Sequence, residues 1–155
     1  ASLDSSRGHG DMTQFANTLA NWATVDLAAS SDWLMKNVSN PNERAEAVLE
    51  LSTIYARQSP DAGLEWIGGL SDQNERRLAS NQFAVDWASV DPAASAKWAS
   101  EQAPGLLSDQ AQIEILQSYL ADDAAAFDQW RNSLPEGALK QKAADLVAPA
   151  SEEGE

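Results

Sequence analysis

WASVDPAASAKW, residues 87–98, carries two tryptophans eleven residues apart around Asp91-Pro92. Three other stretches share its plan: WATVDLAASSDW (22–33), YARQSPDAGLEW (55–66) and YLADDAAAFDQW (119–130). Each opens on an aromatic residue and closes on tryptophan. The closing residues Trp33, Trp66, Trp98 and Trp130 are spaced 33, 32 and 32 apart. Four residues before each stands Ala29, Ala62, Ala94 or Ala126, and four after each opening aromatic stands Asp26, Ser59, Asp91 or Asp123. Agreement of four copies in several columns marks a repeated structural unit.

The columns have a physical reading. Asp or Ser before Pro or a small residue starts a helix, because its side-chain oxygen caps free backbone N–H groups and Pro suits the first helical position. Pro60 and Pro92 occupy that position. Ala-x-x-x-Trp then places a small and a large side chain on one helix face. The alanine lets another helix approach, and the tryptophan fills the space beside it. The opening aromatics Trp22, Tyr55, Trp87 and Tyr119 end a preceding helix. Each unit is therefore a longer helix, a tight turn and a shorter helix. Recurrence at fixed spacing makes the tryptophans architecture rather than a site.

The return connections repeat as well: VSNPNERAEA (38–47), LSDQNERRLA (70–79), LPEGALKQKA (134–143) and, more weakly, QAPGLLSDQA (102–111). Asn40-Pro41 with Glu43 has capping-box spacing, and Ser71 with Asn74 is a second start signal. Nine helices are expected, near 12–24, 27–37, 41–57, 60–69, 72–88, 92–102, 107–121, 124–133 and 136–148. A short helical hairpin cannot bury its apolar face alone, whereas stacked neighbours can. The expected organisation is a flexible tail over 1–10, a helical repeat domain over 11–148 and an acidic tail over 149–155.

Composition agrees with a folded helical chain. The 155 residues are 43% hydrophobic, enough for a sizeable core. The formal charge is −14 and no basic stripe offsets it, which disfavours nucleic acid and anionic membrane surfaces as partners. No apolar run approaches the ~18 residues of a membrane span. There is no cysteine, which removes disulfides, thiolate metal sites and cysteine nucleophiles. The chain starts at Ala1 rather than Met, as a fragment or a chain freed of a targeting segment would. A soluble protein is expected, and its compartment is left open.

The period and the helix-turn-helix unit resemble the tetratricopeptide class of α/α solenoids. The Trp-x-x-Leu-Gly-x-x-Tyr opening of that class is not matched. The pattern aromatic-Ala-x-x-Asp-Pro-x-x-Ala-x-x-x-Trp is more similar to degenerate helical repeats of bacterial proteins, in which Leu-Pro-x-Gly-x-x-Arg commonly follows. Leu134-Pro135-Glu136-Gly137 fits that linker, and Trp22, Asp26, Trp87 and Asp91-Pro92 fit the opening. The resemblance implies an all-α, right-handed α/α solenoid of about four and a half repeats. It also implies protein or peptide binding without catalysis.

Residues that carry chemistry are few. His9 is the one histidine, beside Gly8 and Gly10 in the expected tail, so neither a nucleophile–His triad nor a structural zinc site is expected. Asp122-Asp123 and Glu152-Glu153 are adjacent carboxylates, but adjacency does not set two groups across a substrate. No phosphate-binding glycine loop or calcium loop is present. No cofactor, metal or catalytic residue is expected. Ten or eleven residues after each closing Trp stand Arg44, Arg76, Ser108 and Lys140, with Arg77 beside Arg76. Arg44, Arg76, Arg77 and Lys140 are the candidate binding residues, since aligned cations on a repeat surface take carboxylates of a peptide. The simpler reading pairs Arg44 and Arg76 with carboxylates of a neighbouring helix, such as Asp26 or Asp91. Ser108 interrupts the column. The expected function is a protein- or peptide-binding repeat module, monomeric or weakly self-associating. The alternative is a spacer or docking part of a larger assembly, with an enzyme the least favoured.

Overall fold

The structure is a computed structural model describing residues 18, 21, 22 and 25–147. Among these, every regular element is a helix: α1 (Leu27–Asn37), α2 (Pro41–Gln58), α3 (Pro60–Gly68), α4 (Gln73–Ala88), α5 (Pro92–Ser100), α6 (Asp109–Asp122), α7 (Ala124–Ser133) and α8 (Ala138–Val147). Residues 18, 21, 22 and 25 are also helical. The eight helices match expected segments to within about two residues at each end. The expected helix over 12–24 falls largely outside the described residues, as do the tails and His9. No described helix is long and apolar enough to cross a membrane.

The residue before each second helix has two duties; it is the whole turn in three hairpins, whereas Ser89 and Val90 precede Asp91 in the third. The N–H groups of Asp26, Ser59, Asp91 and Asp123 donate to the carbonyls of Trp22, Tyr55, Trp87 and Tyr119 at 2.7–3.0 Å, closing the first helix. The same residues open the second helix. Asp26, Asp91 and Asp123 accept from the N–H of Ala29, Ala94 and Ala126 at 3.0, 3.1 and 3.0 Å. This spacing explains why an acid recurs four residues after the aromatic and an alanine three residues later. Ser59 shares the backbone conformation, with φ −154° and ψ 76°, but makes no side-chain cap. Asn40 Oδ1 caps α2 through the N–H groups of Asn42 and Glu43. At α4 the capping residue is Asp72 rather than Ser71, accepting from Asn74 and Glu75 at 2.8 and 3.0 Å.

The chain divides between Phe83 and Ala84, inside α4, into two compact units. In the first, α2 packs on α1 and α3. Its core includes Leu34, Val48, Leu51, Tyr55, Ile67, Leu70 and Phe83. In the second, α6 packs on α5, α7 and α8. Ile115, Leu116, Tyr119 and Phe127 are buried there. The final helix turns Leu139, Ala143 and Leu146 onto this core, while Val147 is 37% exposed.

Packing differs from the column reading in two ways. The opening aromatics Tyr55, Trp87 and Tyr119 are buried, whereas the closing Trp33 is 38% exposed and Trp66, Trp98 and Trp130 are half-buried. The two aromatics of a hairpin meet across its turn. Ring centroids are 5.9 Å apart in Trp22–Trp33, 5.1 Å in Tyr55–Trp66 and 5.5 Å in Tyr119–Trp130. Moreover, the close approach is made one residue after the alanine column. Ser30, Gly63, Ser95 and Phe127 are all buried, while Ala62 is exposed and Ala29, Ala94 and Ala126 are half-buried. Four-residue spacing puts the alanines on the stripe of a tryptophan that itself faces partly outward. The stripe facing the first helix is rotated by one position. Small residues fill it in three copies. In the fourth, Phe127 packs edge-on to Tyr119 at 5.6 Å.

Candidate peptide-binding groove

α1 and α3 are the second helices of the first two hairpins, and an open groove of about 850 Å³ runs between them. Asp26, Ser31, Asp32 and Met35 line it from the α1 side, and Ala62, Glu65, Trp66 and Leu70 from the α3 side. Tyr55, at the end of α2, forms part of the lining between them.

The groove's aromatic wall is held from behind. The Tyr55 and Trp66 rings are stacked, 23° from parallel. The Tyr55 hydroxyl lies 2.8 Å from Ser31 Oγ. Ser31 gives its one hydrogen to the carbonyl of Ala28 at 3.0 Å, so Tyr55 is the donor. Burial raises the Tyr55 hydroxyl above its ordinary pKa, keeping it a neutral donor. These contacts tie the ends of the first two hairpins to one another.

The groove is acidic. Among the described residues its lining includes three carboxylates, Asp26, Asp32 and Glu65, and no Lys, Arg or His. Asp26 spends Oδ1 on the α1 cap, and Asp32 Oδ2 meets Lys36 Nζ at 3.0 Å. That ion pair joins two largely exposed side chains, so it holds Asp32 weakly. The Glu65 carboxylate is exposed and has no partner among the described residues. A pocket of this kind suits a cation carried on an apolar stem, since carboxylates meet the charge while Trp66 and Met35 meet the stem.

The basic column behaves differently. Arg44 is fully engaged inside the first unit. Its Nε and Nη2 form a fork on Glu75 at 2.5 and 3.0 Å. Nη1 donates to the carbonyls of Val38 and Leu34 at 2.7 and 3.4 Å, and Nη2 also reaches Met35 Sδ at 3.4 Å. The hydrogen bond to Glu75 is the main reason its pKa is raised. The carboxylate partner is thus Glu75 on α4, not Asp26 or Asp91. Arg76 donates twice to the Leu70 carbonyl, at 3.1 and 2.7 Å. Arg44 and Arg76 each reach a carbonyl six residues back, satisfying chain that has just left the preceding helix. Lys140 pairs with the exposed Glu136 at 3.1 Å on the second unit. Of the four, Arg77 is exposed, beside a smaller hollow of about 530 Å³ with Leu49, Asn74 and Leu78. Within the first unit, Arg44 and Arg76 are spent on the chain itself and Arg77 stands exposed.

Asp26, Tyr55, Ala62 and Trp66 belong to the repeat columns, but the groove carboxylates Asp32 and Glu65 escaped them, although one signal was present. The position before the closing Trp is Asp32, Glu65, Lys97 and Gln129, acidic only in the first two copies. A feature restricted to two neighbouring copies marks a surface that only those copies build. No protein-family model, curated protein or solved structure is significantly similar to the chain.

Proposed function

We propose that this protein is a non-catalytic binding module, a tetratricopeptide-like right-handed α/α solenoid, whose second helices receive a segment of another protein. The repeated hairpin supports the solenoid reading: the same backbone bond closes the first helix in all four copies, and the opening and closing aromatics meet in Trp22–Trp33, Tyr55–Trp66 and Tyr119–Trp130. The groove between α1 and α3 carries the binding reading. It is large enough for several side chains, and its Tyr55–Trp66 wall is fixed before any partner arrives. A preformed surface avoids part of the ordering cost of association. Arg44 and Arg76 act in this reading as struts that hold successive hairpins in register.

The test is a capture experiment with three proteins. Ala62→Arg places a long side chain in the groove at an exposed helical position, and Ala125→Arg makes the same change at an exposed position of α7. A partner retained by the natural chain and by Ala125→Arg, but lost by Ala62→Arg, supports the groove. Equal retention by all three removes it.

A further inference from the structure

The groove's chemistry goes further than its shape. We propose that its occupant is a basic segment of a partner protein, with a lysine or arginine side chain inserted between Asp32 and Glu65 alongside Trp66. This rests on the reading of the groove as a binding surface.

Three observations carry it. The charge of the lining is one-sided: Asp26, Asp32 and Glu65 face the same space, and no described residue of the lining is cationic, Lys36 lying outside it on Asp32. These carboxylates keep free acceptors, because Asp26 commits one oxygen to its cap, Asp32 one to Lys36, and Glu65 neither. The remaining wall is apolar and aromatic, from the half-buried Met35 and Trp66, which matches the methylene stem below a cationic head. An anionic occupant would face three like charges with no counter-charge in the lining. A purely apolar one would strip water from carboxylates without replacing it. The overall charge of −14 adds long-range attraction for the same class of partner.

General attraction must be separated from recognition in the groove. Four fluorescent twelve-residue peptides serve as probes: alternating Lys-Ala, Arg-Ala, Ser-Ala and Glu-Ala. They are titrated by anisotropy against the natural protein, Asp32→Asn/Glu65→Gln, and Glu46→Gln/Glu50→Gln. The last pair lies on exposed positions of α2 and removes the same charge away from the groove. The expected result is binding of a basic peptide that weakens roughly ten-fold in the Asp32/Glu65 variant and hardly at all in the Glu46/Glu50 variant. Equal weakening in both variants, Ser-Ala binding as tight as Lys-Ala, or no binding of either basic peptide overturns the proposal. If Ala62→Arg still loses a partner that Asp32→Asn/Glu65→Gln retains, the groove reading stands and the basic-segment inference falls.

Discussion

Gly63 stands against Phe83 so closely that a Cβ at this position would lie 2.5 Å from Phe83 Cε2 and 2.9 Å from Tyr55 Cβ. An interior helical glycine costs about 1 kcal/mol relative to alanine. The chain keeps it in α3 because the neighbouring side chains occupy the space. Gly63→Ala therefore destabilises despite its better helix propensity, by about 1–2 kcal/mol once overpacking is set against that gain. Urea denaturation measures it. Adding Phe83→Leu, which withdraws the ring, recovers part of the loss. A raised melting temperature for Gly63→Ala alone contradicts the close approach.

Arg44 and Glu75 form the second test. Their side chains are only 17% and 15% exposed, so removing one leaves the other poorly solvated. Glu75→Ala costs about 2–3 kcal/mol, and Arg44→Lys less, because lysine keeps the charge but loses the fork. The hydrogen bond to Glu75 raises the folded-state pKa of Arg44 above its ordinary value. A raised pKa gives a stabilising contribution that is complete below the unfolded value and lost only as pH climbs through the folded one. The arginine thus adds no slope to stability between neutral pH and pH 11. Denaturant midpoints of the natural chain and Arg44→Lys should differ by a constant amount from neutral pH to about pH 9, below the range in which an ordinary lysine titrates.

The two tyrosines titrate late. Burial raises both from the ordinary value of 10.0, and at Tyr119 the nearby Asp123, Asp122 and Asp91 carboxylates raise it further. Unfolded chain loses these protons first, so stability is retained below about pH 10 and declines as pH rises through the folded values. Since the chain has only two tyrosines, tyrosinate absorbance reads them directly. At pH 10 the urea-unfolded chain should be about half tyrosinate, and the native protein less. Overlapping titration curves for the two states refute the shift.

The hairpin caps give a fourth, graded expectation. Asp91→Ala removes the bond to the Ala94 N–H and costs about 1 kcal/mol. Ser59 has nearly the same backbone angles as Asp123 but forms no side-chain cap. Ser59→Asp should therefore supply the missing bond to α3 and stabilise by up to about 1 kcal/mol, less any repulsion from Asp61 in the first turn. Thermal melts of the two variants should move in opposite directions.

The amino-acid sequence by itself determined the helices, their hairpin turns and their period. These are local matters: one residue four positions past an aromatic closes one helix and opens the next, and Asp91-Pro92 states that in two letters. Only the tertiary structure decided which face of each second helix turns inward. Alanine and the residue after it differ by one step around a helix, and the crossing of neighbouring helices, not spacing along the chain, selects Gly63 over Ala62 for burial. The same holds for Arg44. Its column was visible, but whether it faced solvent or Glu75 depended on α4 lying within reach, thirty-one residues away. The acidic groove needed most from the fold: Asp32 and Glu65 are ordinary surface carboxylates until packing of α1 and α3 on α2 sets them around one space.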